Sequence, residues 1–79
     1  MRIDKFLKVS RVLKRRATAN EACSAGKVFV NGKEVKPSRE VKEGDVVEIK
    51  FGEGVMKFRV NLVKESVKKE DAPSLYTIL

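Results

Sequence analysis

A chain of 79 residues, 42% hydrophobic and 37% charged, makes one small domain near the lower limit at which an apolar core offsets conformational entropy, and it is too apolar for a disordered tail. With one cysteine, Cys23, and no histidine, an internal disulfide and a zinc site are excluded, and Cys23 reads as a buried small hydrophobe, since no base is available to activate it. The net charge of +7 is the feature that calls for a functional explanation.

That charge is local. The opening MRIDKFLKVSRVLKRR carries Arg2, Lys5, Lys8, Arg11, Lys14, Arg15 and Arg16 against Asp4 alone, while the other 63 residues hold 11 basic and 10 acidic groups. Within the opening, Ile3, Phe6, Leu7 and Ser10 follow the i, i+3, i+4, i+7 spacing of one helix face and predict a first helix over 3 to 9. Val12 and Leu13 read as a buried connector. A second helix runs to about Ala25 with Gly26 as its stop; its start lies near Arg15, although Thr18 and Glu21 have capping-box spacing that argues for Thr18.

From Lys27 the period becomes that of strands. KVFVNGKEV is two short β runs around Asn31-Gly32, a pair suited to the positive φ angles of a tight hairpin. EGD at 43 to 45 marks a turn before VVEIKF, where Val47, Ile49 and Phe51 share a face. Met56, Phe58, Val60 and Leu62 alternate in the same way after FGEG, so 46 to 62 form a second hairpin. Residues 64 to 74 read as a charged linker, and SLYTIL as an apolar end that either packs on the sheet, the favoured reading, or docks on a partner. The expectation is an α+β domain over 1 to 62, two helices on a small, largely antiparallel sheet of four strands, with a C-terminal tail over 63 to 79.

Solvated protein surfaces intersperse both charge signs, so an edge from which acids are nearly absent points to phosphate, and nucleic acid is the expected partner. Asp4 either orients an arginine such as Arg2 or Arg16, hydrogen-bonds RNA hydroxyls, or is a favourable charge in the first helical turn. A membrane-surface helix is disfavoured, because the apolar face lacks Trp and is needed for the core. Charges at 2, 4, 5 and 8 interrupt the apolar stretch a signal peptide needs, so a cytoplasmic monomer is expected. Catalysis is not expected, with no histidine and no paired carboxylates in an evident cleft, and no cofactor is implied. A helix-turn-helix reading places ANEACSA in a DNA groove, where small and mostly uncharged side chains would read bases poorly.

RIDKFL, RRATANEACSAGKVFVNGKEV and EVKEGDVVEI resemble the S4 RNA-binding domain over residues 2 to 51. That resemblance implies two helices on a small sheet, binding structured RNA through an exposed basic face. The family's contact positions correspond to Arg2, Asp4, Lys5, Lys8, Arg11, Arg15 and Arg16, and the charge cluster adds Lys14. Many members have serine where Arg15 stands, acting as a helix cap, which puts the local start of the second helix in question. The KFLKVSRVLKRR opening and YTIL end further resemble the small bacterial members devoted to ribosome quality control. They imply binding to ribosomal RNA of the large subunit and to tRNA on obstructed subunits, beside an RqcH-like tailing factor that adds C-terminal alanines. The alternative is the heat-shock type, which rescues stalled large subunits without such a partner; the long basic C-terminal extension expected of that type is lacking.

Overall fold

The computed structural model covers residues 1–79. Two helices, α1 (Ile3–Val9) and α2 (Arg16–Ser24), precede β1 (Val28–Val30), β2 (Lys33–Glu34), β3 (Val46–Phe51) and β4 (Gly54–Val60). A 3-10 helix (Lys69–Leu75) then leads into β5 (Tyr76–Ile78). The strands form one antiparallel sheet in the order β2-β1-β3-β4-β5. No helix is long and apolar enough to cross a membrane.

The helix periodicity holds: Ile3, Phe6, Leu7 and Ser10 are all buried against the sheet. Opposite them stand Val47 and Ile49 of β3 and Phe58 and Val60 of β4, the inward half of each alternation. Phe6 and Phe58 stack with ring centroids 6.3 Å apart. Cys23 lies in the same core, where burial, followed by the charge of Asp4, pushes its thiol up to about 11. The thiolate that nucleophilic chemistry requires is thereby disfavoured.

Helix α2 starts within one residue of the expected position. Arg15 is its extended N-cap residue and supplies no side-chain cap, so the Thr18–Glu21 capping box does not form. At the other end Gly26 takes φ +74°, the left-handed stop that glycine accepts without a Cβ clash. The Asn31-Gly32 hairpin forms as expected, with φ of 52° and 83° and Val30 paired to Lys33. Asn31 also ties two turns together: its Oδ1 accepts from the Val46 N–H at 3.0 Å and its Nδ2 donates to Asp45 at 3.1 Å.

Three expectations are corrected. Val12 and Leu13 are half-buried, packing against the core from outside it. Phe51 is 44% exposed and Leu62 38% exposed, since both continue an inward alternation past the end of the cover that the helices provide. The sheet has five strands where the periodicity predicts four: the open edge of β4 leaves unpaired backbone groups, and β5 pairs with them through Phe58↔Ile78, Arg59↔Thr77 and Val60↔Tyr76. Within the linker Ala72 is buried. In SLYTIL, Leu75 enters the core and Tyr76 packs on Phe58 at 5.3 Å, but Ile78 and Leu79 are 58% and 54% exposed.

Candidate nucleic-acid interface

The N-terminal strand-like residues are pinned first. The Ile3 N–H donates to the Arg39 carbonyl at 2.7 Å and the Val41 N–H to the Met1 carbonyl at 2.9 Å, which fixes Arg2 at the mouth of α1. One turn in, Asp4 is 1% exposed, an unusual site for a carboxylate unless its oxygens are fully partnered. They are. Arg2 Nη2 donates to Oδ2 at 3.1 Å and Arg16 Nη2 to Oδ1 at 3.5 Å, while Asn20 Nδ2 donates to Oδ2 at 3.3 Å and the Lys5 N–H to Oδ1 at 2.7 Å.

Burial pushes the Asp4 carboxyl upward. The Asn20 hydrogen bond, the Arg16 charge, the Lys5 N–H and the Arg2 charge outweigh it, so the pKa lies below the ordinary 3.8. Of the three roles open from the sequence, the geometry performs two: Asp4 is the acid in the first turn of α1, accepting from the Lys5 N–H there, and it orients two arginines. Both guanidinium side chains stay about half exposed, at 49% and 48%, and each spends one of five donors on Asp4. The remainder face outward in a fixed fork suited to phosphate oxygens. Together Arg2, Asp4, Arg16, Ala17, Asn20 and Glu21 line an open recess of about 530 Å³.

A second cationic recess, of about 360 Å³, is lined by Lys8, Arg11, Leu13, Lys14 and Lys69. Arg11 takes φ +63°, a left-handed conformation that a side chain bearing Cβ adopts at a cost. The turn is closed by the Leu13 N–H donating to the Leu7 carbonyl at 3.0 Å, and it turns the chain sharply between the helices. Arg15 and Arg16 are exposed at the start of α2. Lys5 is set apart from its neighbours: its ammonium pairs with Glu65, whose carboxyl the Lys5 hydrogen bond and charge hold below its ordinary range.

The eight sequence-predicted residues therefore divide. Arg2, Asp4 and Arg16 form one cluster, and Lys8, Arg11 and Lys14 form another; Arg15 stands exposed at the start of α2, and Lys5 is partnered by Glu65. Two members escape the sequence reading. Asn20 completes the Asp4 shell from one helical turn beyond Arg16, a position signalled only by its polarity. Lys69 reaches the second recess from the far end of the chain, and no local pattern marks it.

Comparison with known proteins places this geometry. The S4 domain model matches residues 1–47. The RQC P-site tRNA stabilizing factor of Bacillus subtilis is 47% identical over 79 residues, spanning 100% of this chain and 92% of that protein. Its counterpart from Halalkalibacterium halodurans is 49% identical over 78 residues, 99% of this chain and 89% of that one. Among solved structures, trimeric Heat Shock Protein 15 of Vibrio cholerae superposes with a TM-score of 0.91 at 28% identity, covering all of this chain and 81% of that chain. The chain belongs to the S4 domain family, in the group of its RQC P-site tRNA stabilizing factor relatives.

Proposed function

We propose that this protein binds structured RNA on the large ribosomal subunit, contacting ribosomal RNA and tRNA, and acts by holding the tRNA in position, with no chemistry of its own. In this reading it works as a monomer on obstructed subunits while an RqcH-like tailing factor extends the stalled chain. Full-length relatives named for stabilizing a P-site tRNA support the assignment. The observation that carries it is the Asp4 shell: a buried carboxylate that holds Arg2 and Arg16 half-exposed, as a preformed phosphate fork. The heat-shock alternative is favoured by the Vibrio cholerae likeness. It is the weaker reading, because a heat shock protein 15 homolog from Aeromonas salmonicida is 34% identical, against 47% for the Bacillus subtilis relative.

Co-sedimentation with purified large subunits, empty or carrying peptidyl-tRNA, tests the proposal. Wild-type protein should be retained best on the obstructed subunits. Arg16→Ala should lose roughly tenfold in retention, as expected for a charge-assisted phosphate contact, while staying folded at the assay temperature, its melting temperature lowered only by the loss of one Asp4 partner. Equal retention of the variant, or no preference for subunits that carry tRNA, would overturn the reading.

A further inference from the structure

Between α2 and the tip of the β3–β4 hairpin lies a groove of about 440 Å³, lined by Leu13, Thr18, Glu21, Ala22, Ala25 and Phe51 among others. Phe51 is its aromatic wall. On β3 it shares a face with the buried Val47 and Ile49, one pleat further on, and its cross-strand partner is Gly54. Because glycine brings no side chain, nothing on β4 covers the ring, which stays 44% exposed.

The groove adjoins both cationic recesses, sharing one lining residue with each. Leu13 also lines the recess of Lys8, Arg11, Lys14 and Lys69, and Glu21 also lines that of Arg2, Asp4, Arg16 and Asn20. An occupant that suits the groove and its neighbours combines anionic groups, for the adjoining recesses, with an apolar, planar face for Phe51. A nucleic-acid strand has that repeat, phosphate, base, phosphate, and an unpaired base reaches such a groove without the unstacking and unpairing cost of a duplexed one.

We infer that this groove receives one unpaired base of the bound RNA, stacked on Phe51. The inference rests on the RNA-binding reading above and adds to it a requirement for a splayed nucleotide. Thr18 and Glu21 supply the polar groups. A carboxylate only accepts hydrogen bonds, so it favours guanine, which presents two adjacent N–H donors on its pairing edge, over uracil, which presents one. Lys27 on the rim is available to the neighbouring phosphate; Lys50 is not, since its ammonium lies over the Phe29 ring at 4.8 Å.

The test uses the full chain and three RNA hairpins: fully paired, with a single bulged G, and with a single bulged U, each titrated by fluorescence anisotropy at one salt concentration. Wild-type protein should bind the G bulge roughly 5- to 150-fold tighter than the paired hairpin, the range of one stacked base, with the U bulge between. Phe51→Ala should bring all three within about twofold while leaving paired-hairpin affinity and its salt dependence unchanged. Phe51→Trp should keep the preference, and its fluorescence, single in a chain with no tryptophan, should be quenched by the bulged hairpins. Equal wild-type affinity for bulged and paired RNA would overturn the base pocket and leave RNA binding standing. Binding to none of the three would overturn both. Should Phe51→Ala melt far below wild type, the tryptophan variant decides, and absence of quenching refutes the pocket. Self-association without RNA that Phe51→Ala abolishes would assign the groove to a second copy instead.

Discussion

Asp4 is where a single side chain decides most. Its carboxylate is buried, and every partner it has is a donor. Replacing it by Asn keeps the shape but removes the charge that both arginines face, so Asp4→Asn should lower stability at neutral pH by about 1–3 kcal/mol. The pH dependence follows in sign: a carboxyl whose folded pKa lies below the ordinary 3.8 contributes fully above about pH 4, and the contribution fades as pH falls through the lowered value. Urea unfolding should therefore show the gap between wild type and Asp4→Asn closing as pH drops below 4. A gap that is constant with pH would mean the carboxylate is not the source. Arg11 makes the opposite case, a residue whose backbone works against it. At φ +63° glycine would relieve roughly 1–2 kcal/mol of left-handed strain while adding about 0.5–1 kcal/mol of unfolded-state entropy. Arg11→Gly should thus raise the melting temperature slightly and weaken RNA binding, with a salt slope shallower by about 0.7–0.9. Melting and a salt titration on the same variant check both signs.

Among the elements, the C-terminal segment is the one that changes the architecture. The 3-10 helix Lys69–Leu75 delivers Leu75, fully buried, and aligns β5 on β4, where the Asn61 N–H donates to the Leu75 carbonyl at 2.8 Å. Apolar residues within three or four positions of one another have unequal roles. Leu75→Ala should cost about 2–5 kcal/mol through the cavity it leaves, and Ile78→Ala, 58% exposed, under about 0.5 kcal/mol. Chemical denaturation of the two variants measures the contrast; equal losses would mean that β5 is packed differently from its observed register.

For the molecule as a whole, charge distribution governs the interaction. The two cationic recesses each adjoin one groove, so a bound strand could place several of its phosphates against cations at once. If about four to six phosphates are neutralised, log affinity should fall with log salt at a slope of about −3 to −5. A flat titration of the wild-type protein would remove phosphate contact from the account. Lys5 enters that count at a discount, because Glu65 already pairs with it.

The linear sequence determined what depends on neighbours along the chain. The 3.6-residue spacing of Ile3, Phe6 and Leu7, the alternation from Val46 to Val60 and the Asn31-Gly32 turn are local consequences of backbone geometry, and each appears where its pattern places it. The concentration of cations in the first sixteen residues was equally legible, since it is a property of the chain read in order; their division between two recesses was not. What tertiary structure alone decided are the partnerships across the chain. Asp4 with Asn20 and Arg16, Lys69 with Lys8 and Lys14, Lys5 with Glu65, and β5 with β4 join residues between 12 and 61 positions apart. Spacing carries no information about such pairs, because they form only once burial of the shared core brings the two ends of the chain onto one face. For the same reason, alternation alone could not show that Phe51, inward-facing like Ile49, lies beyond the helices and is left to solvent.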